Sequence, residues 1–500
     1  MIKLLFSSDI VAEAALDQSS AAYMLIEKCG QNEAFQAWSL SSVVQELMDR
    51  GIPSASISQV IENIAQIPIN AYLNKLALNS SLGYRMGLYQ AAAETFKIDL
   101  VVCNDVITKS GGITFLGSED ALALDDDRGA DKVDFMNLNL GLHPFFNQVD
   151  EWYMEIIQNT AFAGGNHVQL FEQEFAEFCG SKEAIGVSNG TDALILALLA
   201  MGIGTGDEVI TVPNTFIATT EAISRTGANP IFVDVLPDTY CMDPELIEVK
   251  ITDRTKAIVP VHLYGQIADM VSITAIAEKH GLKVLEDACQ AHGAISKNQK
   301  AGTFGDIAAF SMYPGKNLGA FGEAGCVVTS DANLAETIRC LKDHGQSTKY
   351  YHRLEGFNNR MDNLQAAAVR AKLPLLDAGN EKRRQRASMY LEKLKTISQI
   401  KLPEVADFSA HVFHLFVVLV PDPAALSEYL RDKGVFTAFH YPVPLHLQDA
   451  YKDRGESEGS YPVTEYCAKH LLSLPMFPEL SEGQVDKVCN EIKNFYNQAP

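Results

Sequence analysis

The chain has no CxxC pair, no apolar run long enough to span a membrane, and no surplus of basic residues. Its nine cysteines (Cys29, Cys103, Cys179, Cys241, Cys289, Cys326, Cys340, Cys467 and Cys489) are scattered singly. That excludes a disulfide framework or a zinc knuckle read from spacing, and it points to a reduced compartment. A formal charge of −23 argues against a surface built to hold a polyanion, so no nucleic-acid partner is expected. The first residues, "MIKLLFSSDIVAEAAL", reach Asp9 too early for a signal-peptide core, and no membrane partner is expected. Repeats and low-complexity tracts are also missing. What remains is 500 residues at 47% hydrophobic and 21% charged, the composition of a cytoplasmic globular protein of two to four domains.

Four segments are expected. Residues 1–125 read as a small α/β unit, opening on a short strand, "KLLFSSDI", and closing near another, "IDLVVCND". Residues 126–134 lie in an acidic, Gly-containing stretch, "SEDALALDDDRGADK", the best linker candidate. Across 135–375, β-rich runs alternate with helix-length segments: "GDEVITVP", "NPIFVDV", "TKAIVPVHL", "LKVLEDA", "IAAFSMYP" and "GCVVTSD". Such alternation predicts an α/β fold with a mostly parallel sheet and helices on both faces. Helices dominate 376–500, a smaller C-terminal α+β lobe with "HVFHLFVVLV" as a strand.

In an open α/β sheet, ligands sit at the carboxyl ends of the strands. "VLEDACQAH" places Glu286, Asp287, Gln290 and His292 at one such end, and "AAFSMYPGK" places Ser311 and Lys316 at another. Lys316 is surrounded by small and apolar residues, a poor setting for a free ammonium. "VSNGTDALILAL" presents Asn189, Gly190 and Thr191 as a loop opening a helix, where backbone N–H groups and the helix dipole favour an anion. An amine, a carboxylate and an anion cradle are what pyridoxal 5'-phosphate requires: a lysine for the Schiff base, an acid for the pyridinium nitrogen and a seat for the phosphate. Each residue alone has an ordinary structural reading. Their order at three strand-to-helix junctions favours the joint one. His292 stays open between a structural and a functional role.

These residues resemble the pyridoxal-phosphate-dependent sugar aminotransferases of the DegT/StrS type, with the fold of aspartate aminotransferase (fold type I). The resemblance spans about residues 135–495 and rests on "GGNHVQLFEQEFAEFCG", "VSNGTDALILAL", "VPNTFIATTEAI", "VPVHLYGQ", "VLEDACQAHGA", "FSMYPGKNLGAFGEAG", "GFNNRMDNLQAA" and "FHYPVPLHLQDAY". It implies that Lys316 forms the Schiff base and carries the proton. Asp287 would pair with the pyridinium nitrogen and Gln290 with the phenolic oxygen. Gly190, Thr191 and Ser311 would hold the phosphate, and Phe216 would stack on the ring. Asn358 would reach the phosphate in the neighbouring subunit, which implies a homodimer with shared sites. His440 and Tyr441 would approach the sugar nucleotide.

The implied reaction is a ping-pong transfer of an amino group from L-glutamate to a keto group of a nucleotide-linked 6-deoxyhexose. "VHLYGQ" and "YPGKNLGA" look closest to members acting at C3 of a dTDP-linked sugar. Amination at C4 of a UDP-, GDP- or dTDP-linked sugar is the alternative. A sugar dehydratase of the same fold would carry histidine in place of Lys316. A non-catalytic cofactor-binding regulator would be favoured by loss of Lys316 or Asp287, and neither is lost.

Residues 1–125 resemble, more weakly, a PIN-type domain. Such a domain gathers carboxylates around divalent metal, and Asp9, Glu46 and Asp105 could supply some of them. A fourth acidic position falls on Met86, and residues 1–130 carry 8 Lys+Arg against 16 Asp+Glu, a net of −8. A degenerate domain used for docking or assembly, without bound metal, is the expectation.

Overall fold

A computed structural model describes residues 132–138 and 145–498 together with three short strands, β1 (Leu100–Val102), β2 (Thr108–Ser110) and β3 (Ile113–Leu116). The chain divides into two compact units, Met1–Gly129 and Ala130–Pro500. In the first, β3 lies between β1 and β2, parallel to one and antiparallel to the other. The strand expected in "IDLVVCND" is β1. Asp9, Glu46, Met86 and Asp105, on which the PIN-type resemblance rests, lie outside the described residues.

The second unit is built on seven strands: β4 (Glu183–Val187), β5 (Glu208–Thr211), β6 (Asn229–Phe232), β7 (Thr255–Ile258), β8 (Lys283–Asp287), β11 (Ile307–Ser311) and β12 (Gly325–Thr329), in the order β4-β12-β11-β8-β7-β5-β6. Two short strands, β9 (Ile295–Ser296) and β10 (Gln299–Lys300), precede β11 outside this sheet. All neighbours run parallel except β12, which is antiparallel to both β11 and β4. The reason is the connection. Parallel neighbours need a crossover, whereas residues 312–324 join β11 to β12 without a helix. Lys316 sits in that connection.

Strand alternation sorts the core into two faces. Ile185, Val187, Val209, Ala257, Leu285, Ile307, Ala309 and Val327 pack under α3 (Gly190–Ala200), α4 (Ala218–Arg225) and α6 (Ala332–Leu341). Ala184, Ile210, Ile258, Val284, Ala308, Phe310 and Val328 face the other way, onto α2 (Asn166–Cys179), α5 (Met270–His280) and α7 (Asn363–Lys372). Ahead of these, α1 (Phe146–Gln158) packs against α7. After α7, α8 (Leu376–Leu394) leads to a second core around β13 (Phe416–Leu419) and β14 (Leu471–Leu474), which pair antiparallel. Tyr390, Leu426, Val488 and Ile492 close that core from two further helices and from α8 itself. "HVFHLFVVLV" supplies β13 only from Phe416 onward. Among the described residues no helix is long and apolar enough to cross a membrane.

Candidate active site

The carboxyl ends of β4, β5, β8 and β11 share one edge of the sheet, and the polar residues singled out from the sequence follow these ends. At β4, Asn189 caps α3: its Oδ1 accepts from Asp192 N at 2.9 Å, and its Nδ2 donates to the Asp192 carboxylate at 2.7 Å. Ser188 Oγ donates to the same carboxylate. The N–H groups of Gly190 and Thr191, in the first turn of α3, have no helical acceptor by construction. Gly190 abuts the end of β11, where a Cβ on it would lie 2.5 Å from Ser311 Cβ. That close approach is why glycine is required there. It leaves a pocket edge of open amides beside the Ser311 hydroxyl, suited to an anion.

Asp287 ends β8 and is almost fully buried. One carboxylate oxygen accepts from Thr219 Oγ1 at 2.7 Å and the other from Cys289 N at 3.2 Å. Thr219 in turn lies 3.0 Å from Thr215 Oγ1. Thr219 sits within "VPNTFIATTEAI" but was not singled out. A threonine in the first turn of a helix carries no signal of its own until the fold sets it opposite the carboxylate.

Next to Asp287, Glu286 points to the opposite face and is wholly buried. It accepts from Phe304 N (2.7 Å), Gly305 N (2.9 Å) and Gly302 N (2.9 Å), and it pairs with His262 Nε2 at 2.9 Å. Glu286 is thereby a structural anchor of the β8 end, with every lone pair engaged.

Lys316 is half-buried in the β11–β12 connection, and among the described residues its Nζ has no hydrogen-bond or ion-pair partner. Burial pushes its ammonium below the ordinary lysine value of 10.5, opposed by Cys289 and Asp287. An unpaired amine whose charge is disfavoured by burial is suited to act as a nucleophile and a proton acceptor.

Gln290 belongs to the turns after β8, where its Oε1 accepts from Tyr264 N at 2.7 Å and its Nε2 donates to Tyr441 Oη at 3.1 Å. The sequence places Gln290 one helical turn beyond Asp287; the structure has it in non-helical turns, held by Tyr264 and Tyr441. Tyr441 also faces Phe216, with ring centroids 5.8 Å apart, and Phe216 keeps 53% of its surface exposed, so its ring is open to stacking. His440 bonds Ser473 Oγ through Nδ1 at 2.9 Å and stacks on Phe135. Tyr264 Oη donates to the His440 carbonyl. Burial, reinforced by Lys316, lowers the His440 pKa to about 4, so its imidazole is neutral at neutral pH.

Of the residues named from the sequence, Asn358 stands apart. It is exposed, its Oδ1 accepting from Arg360 at 2.9 Å, on a segment that runs beside the end of β4 through Ser188 N and Asn359 O. His292 is completely buried against Phe310, ring centroids 5.3 Å apart, and burial lowers its pKa to about 3. Among the described residues no cluster of three or more His, Cys, Asp or Glu forms a metal site.

Comparison with known proteins agrees with this geometry. The family model described as the DegT/DnrJ/EryC1/StrS aminotransferase family matches residues 147–493. A protein of Geobacillus stearothermophilus called pleiotropic regulatory protein is 44% identical over 68% of the chain and 92% of its own length. The dTDP-3-amino-3,4,6-trideoxy-alpha-D-glucose transaminase of Streptomyces venezuelae is 42% identical over 73% of the chain and 96% of its own length. Among solved structures, S. venezuelae DesV in complex with a ketimine intermediate superposes with a TM-score of 0.72 at 41% identity, covering 74% of this chain and all of that one. With Lys316, Asp287 and the Gly190–Ser311 edge all within the matched span, the chain belongs to the DegT/DnrJ/EryC1/StrS aminotransferase family.

Proposed function

We propose that the protein transfers an amino group from L-glutamate to the C3 keto group of a nucleotide-linked keto-6-deoxyhexose, with dTDP as the nucleotide. The observation that carries this reading is Lys316: an amine with no partner, held below its ordinary pKa, on the same sheet edge as a buried, doubly hydrogen-bonded carboxylate. The family is pyridoxal-phosphate dependent, and the residues present fit that cofactor. The Gly190–Ser311 approach leaves a cradle that any Cβ would fill, bordered by two free amides and a hydroxyl. Pyridoxal phosphate bound there supplies the aldehyde and the electron sink of transamination.

The roles proposed for this chain's residues follow from their surroundings. Lys316 Nζ takes and returns the proton at the substrate carbon, a role suited to an unpaired amine whose charge is disfavoured by burial. Asp287, kept in place by Thr219, would hold the proton on the cofactor's ring nitrogen. Gly190, Thr191 and Ser311 hold the phosphate, Phe216 covers the ring, and Gln290 aligns the phenolic oxygen. His440 and Tyr441 border the sugar. Asn358 serves the site of a second copy in a homodimer. C3 is preferred because the S. venezuelae relative is named for a 3-amino sugar. The name of the G. stearothermophilus relative favours a regulatory reading, against which stand the retained Lys316 and Asp287.

The test is to incubate the cofactor-loaded protein with glutamate and a panel of dTDP-, UDP- and GDP-linked 3-keto and 4-keto sugars. Mass spectrometry then reports which sugar gains an amine. Amination of a 3-keto sugar, abolished by Lys316→Ala in a folded protein, is expected. Amination confined to a 4-keto sugar overturns the C3 assignment. A visible band that glutamate does not shift overturns the transaminase reading.

A further inference from the structure

Lys316 and Asp287 must face the same small molecule, yet they leave the sheet from different strands and make no hydrogen bond to each other. Lys316 lies in the connection 312–324, which has no regular secondary structure. Asp287 begins the run of turns that ends near Ala294. Two asparagine side chains, Asn317 half-buried and Asn380 fully buried, join these segments. Asn317, the residue after Lys316, donates through Nδ2 to Asn380 Oδ1 at 2.8 Å and to the Val412 carbonyl at 3.1 Å. Its Oδ1 takes the third contact, with His414 Nδ1 at 3.2 Å. Asn380, on α8 and 1% exposed, donates through its own Nδ2 to the His292 carbonyl at 2.8 Å.

The surroundings are shaped for this pair. Gly293 has φ +79°, and a Cβ on it would lie 2.9 Å from Asn380 Nδ2, so only glycine admits the amide to the turn. One helical turn along α8, the buried Arg383 donates Nη1 to the carbonyls of Phe413 (3.1 Å), His414 (3.3 Å) and Met476 (3.0 Å). The inner face of α8 thus fixes the same segment, 412–414, that Asn317 grips.

We propose that Asn317 and Asn380 are positioning residues: a two-amide clamp that sets the Lys316 connection against the Asp287–His292 turns and against the segment entering the β13–β14 lobe. This proposal rests on the reading of Lys316 and Asp287 given above. Lys316 has no anchor of its own at Nζ, so the direction of its side chain is inherited from the backbone that Asn317 holds. An amide pair suits the task because each side chain donates and accepts at once, and neither adds a charge beside an amine that must lose its own. Displacement of a reacting group by about 1 Å can cost up to about 100-fold in rate, so loosening the clamp is expected to act on chemistry before binding.

The experiment uses the full chain with Asn317→Ala, Asn380→Ala and the double variant, and the near-isosteric Asn380→Asp, which keeps an acceptor for Asn317 but cannot donate to His292. The first readout is the single-turnover reaction with glutamate followed by the visible band. Each single variant is expected to slow this step about tenfold, with the half-saturating glutamate concentration changed less than twofold, and the double variant to match the singles because both break one clamp. The second readout needs no cofactor: the rate at which an amine-acylating reagent labels Lys316 in cofactor-free protein, by peptide mass spectrometry, is expected to rise in every variant. A merely structural pair would lower the melting temperature and leave both readouts at the parent value. That result, or additive effects of the two alanines, overturns the clamp. An unaltered protein whose band ignores glutamate instead overturns the reading of the function, and the labelling rates still decide the clamp.

Discussion

The Thr219 hydroxyl donates to the Asp287 carboxylate at 2.7 Å, and a hydrogen bond to a charged group is worth about 1.5–3 kcal/mol. Thr219→Val keeps the shape of the side chain and deletes that bond, so kcat/KM is expected to fall about tenfold, with Thr219→Ser recovering most of it; steady-state kinetics of the three proteins check this. The buried histidines give a second expectation. Burial lowers His292 and His411 to about 3, against 6.5 for the exposed ring, so each is neutral in the folded protein. Below pH 6.5 the unfolded chain binds protons that the folded one refuses, and stability declines as pH falls toward 3. The slope approaches about 1.4 kcal/mol per pH unit for each such histidine. Melting temperatures of the cofactor-free protein between pH 7 and pH 5, above the ordinary carboxylate range, are expected to drop; a flat profile there contradicts the neutral state of both rings. At this scale the sequence reveals Lys316 and Asp287, because charged residues among apolar ones are conspicuous. It conceals Thr219 and Asn380, which are ordinary polar residues until the fold sets them against their partners.

The elements that carry the site read well from the sequence where a strand is apolar and sharply bounded. β5, β6, β7, β8, β11 and β12 each fall within an expected run, and α3 is the helix expected after the Asn189–Thr191 loop. β4 lies outside the expected strands: "EAIGV" is interrupted by Gly186, whose missing side chain makes room for Met361. Strand direction is legible only indirectly. The reversal of β12 follows from the helix-free connection that carries Lys316, so the site and the break in parallel order have one cause. The junction of α3 with β11 tests the anion cradle. In Gly190→Ala the new Cβ would meet Ser311, forcing the first turn of α3 away from the end of β11. Cofactor affinity is expected to fall at least tenfold while the secondary structure persists, as measured by titrating cofactor-free protein and recording circular dichroism. Unchanged affinity would mean that the phosphate seat lies elsewhere.

For the whole molecule, the open question is how many chains complete one site. Asn358 is exposed, and its side chain is turned to Arg360 on a segment held beside the end of β4. Exposed aromatic residues lie close by in sequence, with Phe357 at 40% and Tyr350 and Tyr351 above 75%, as expected of a surface that a second copy would cover. If Asn358 serves the partner's cofactor, a chain with Lys316→Ala and a chain with Asn358→Ala are each inactive alone for different reasons. In a mixed dimer one site collects both defects, whereas the other combines an intact Lys316 with an intact Asn358. Random reassortment of equal amounts makes half the dimers mixed, and half of their sites are then whole. Activity should therefore rise from near zero to about a quarter of the unaltered protein's after the two variants are mixed and allowed to exchange, with dimers verified by light scattering. If Asn358 acts within its own chain, no combination of the two restores a site, and the mixture stays as inactive as its components.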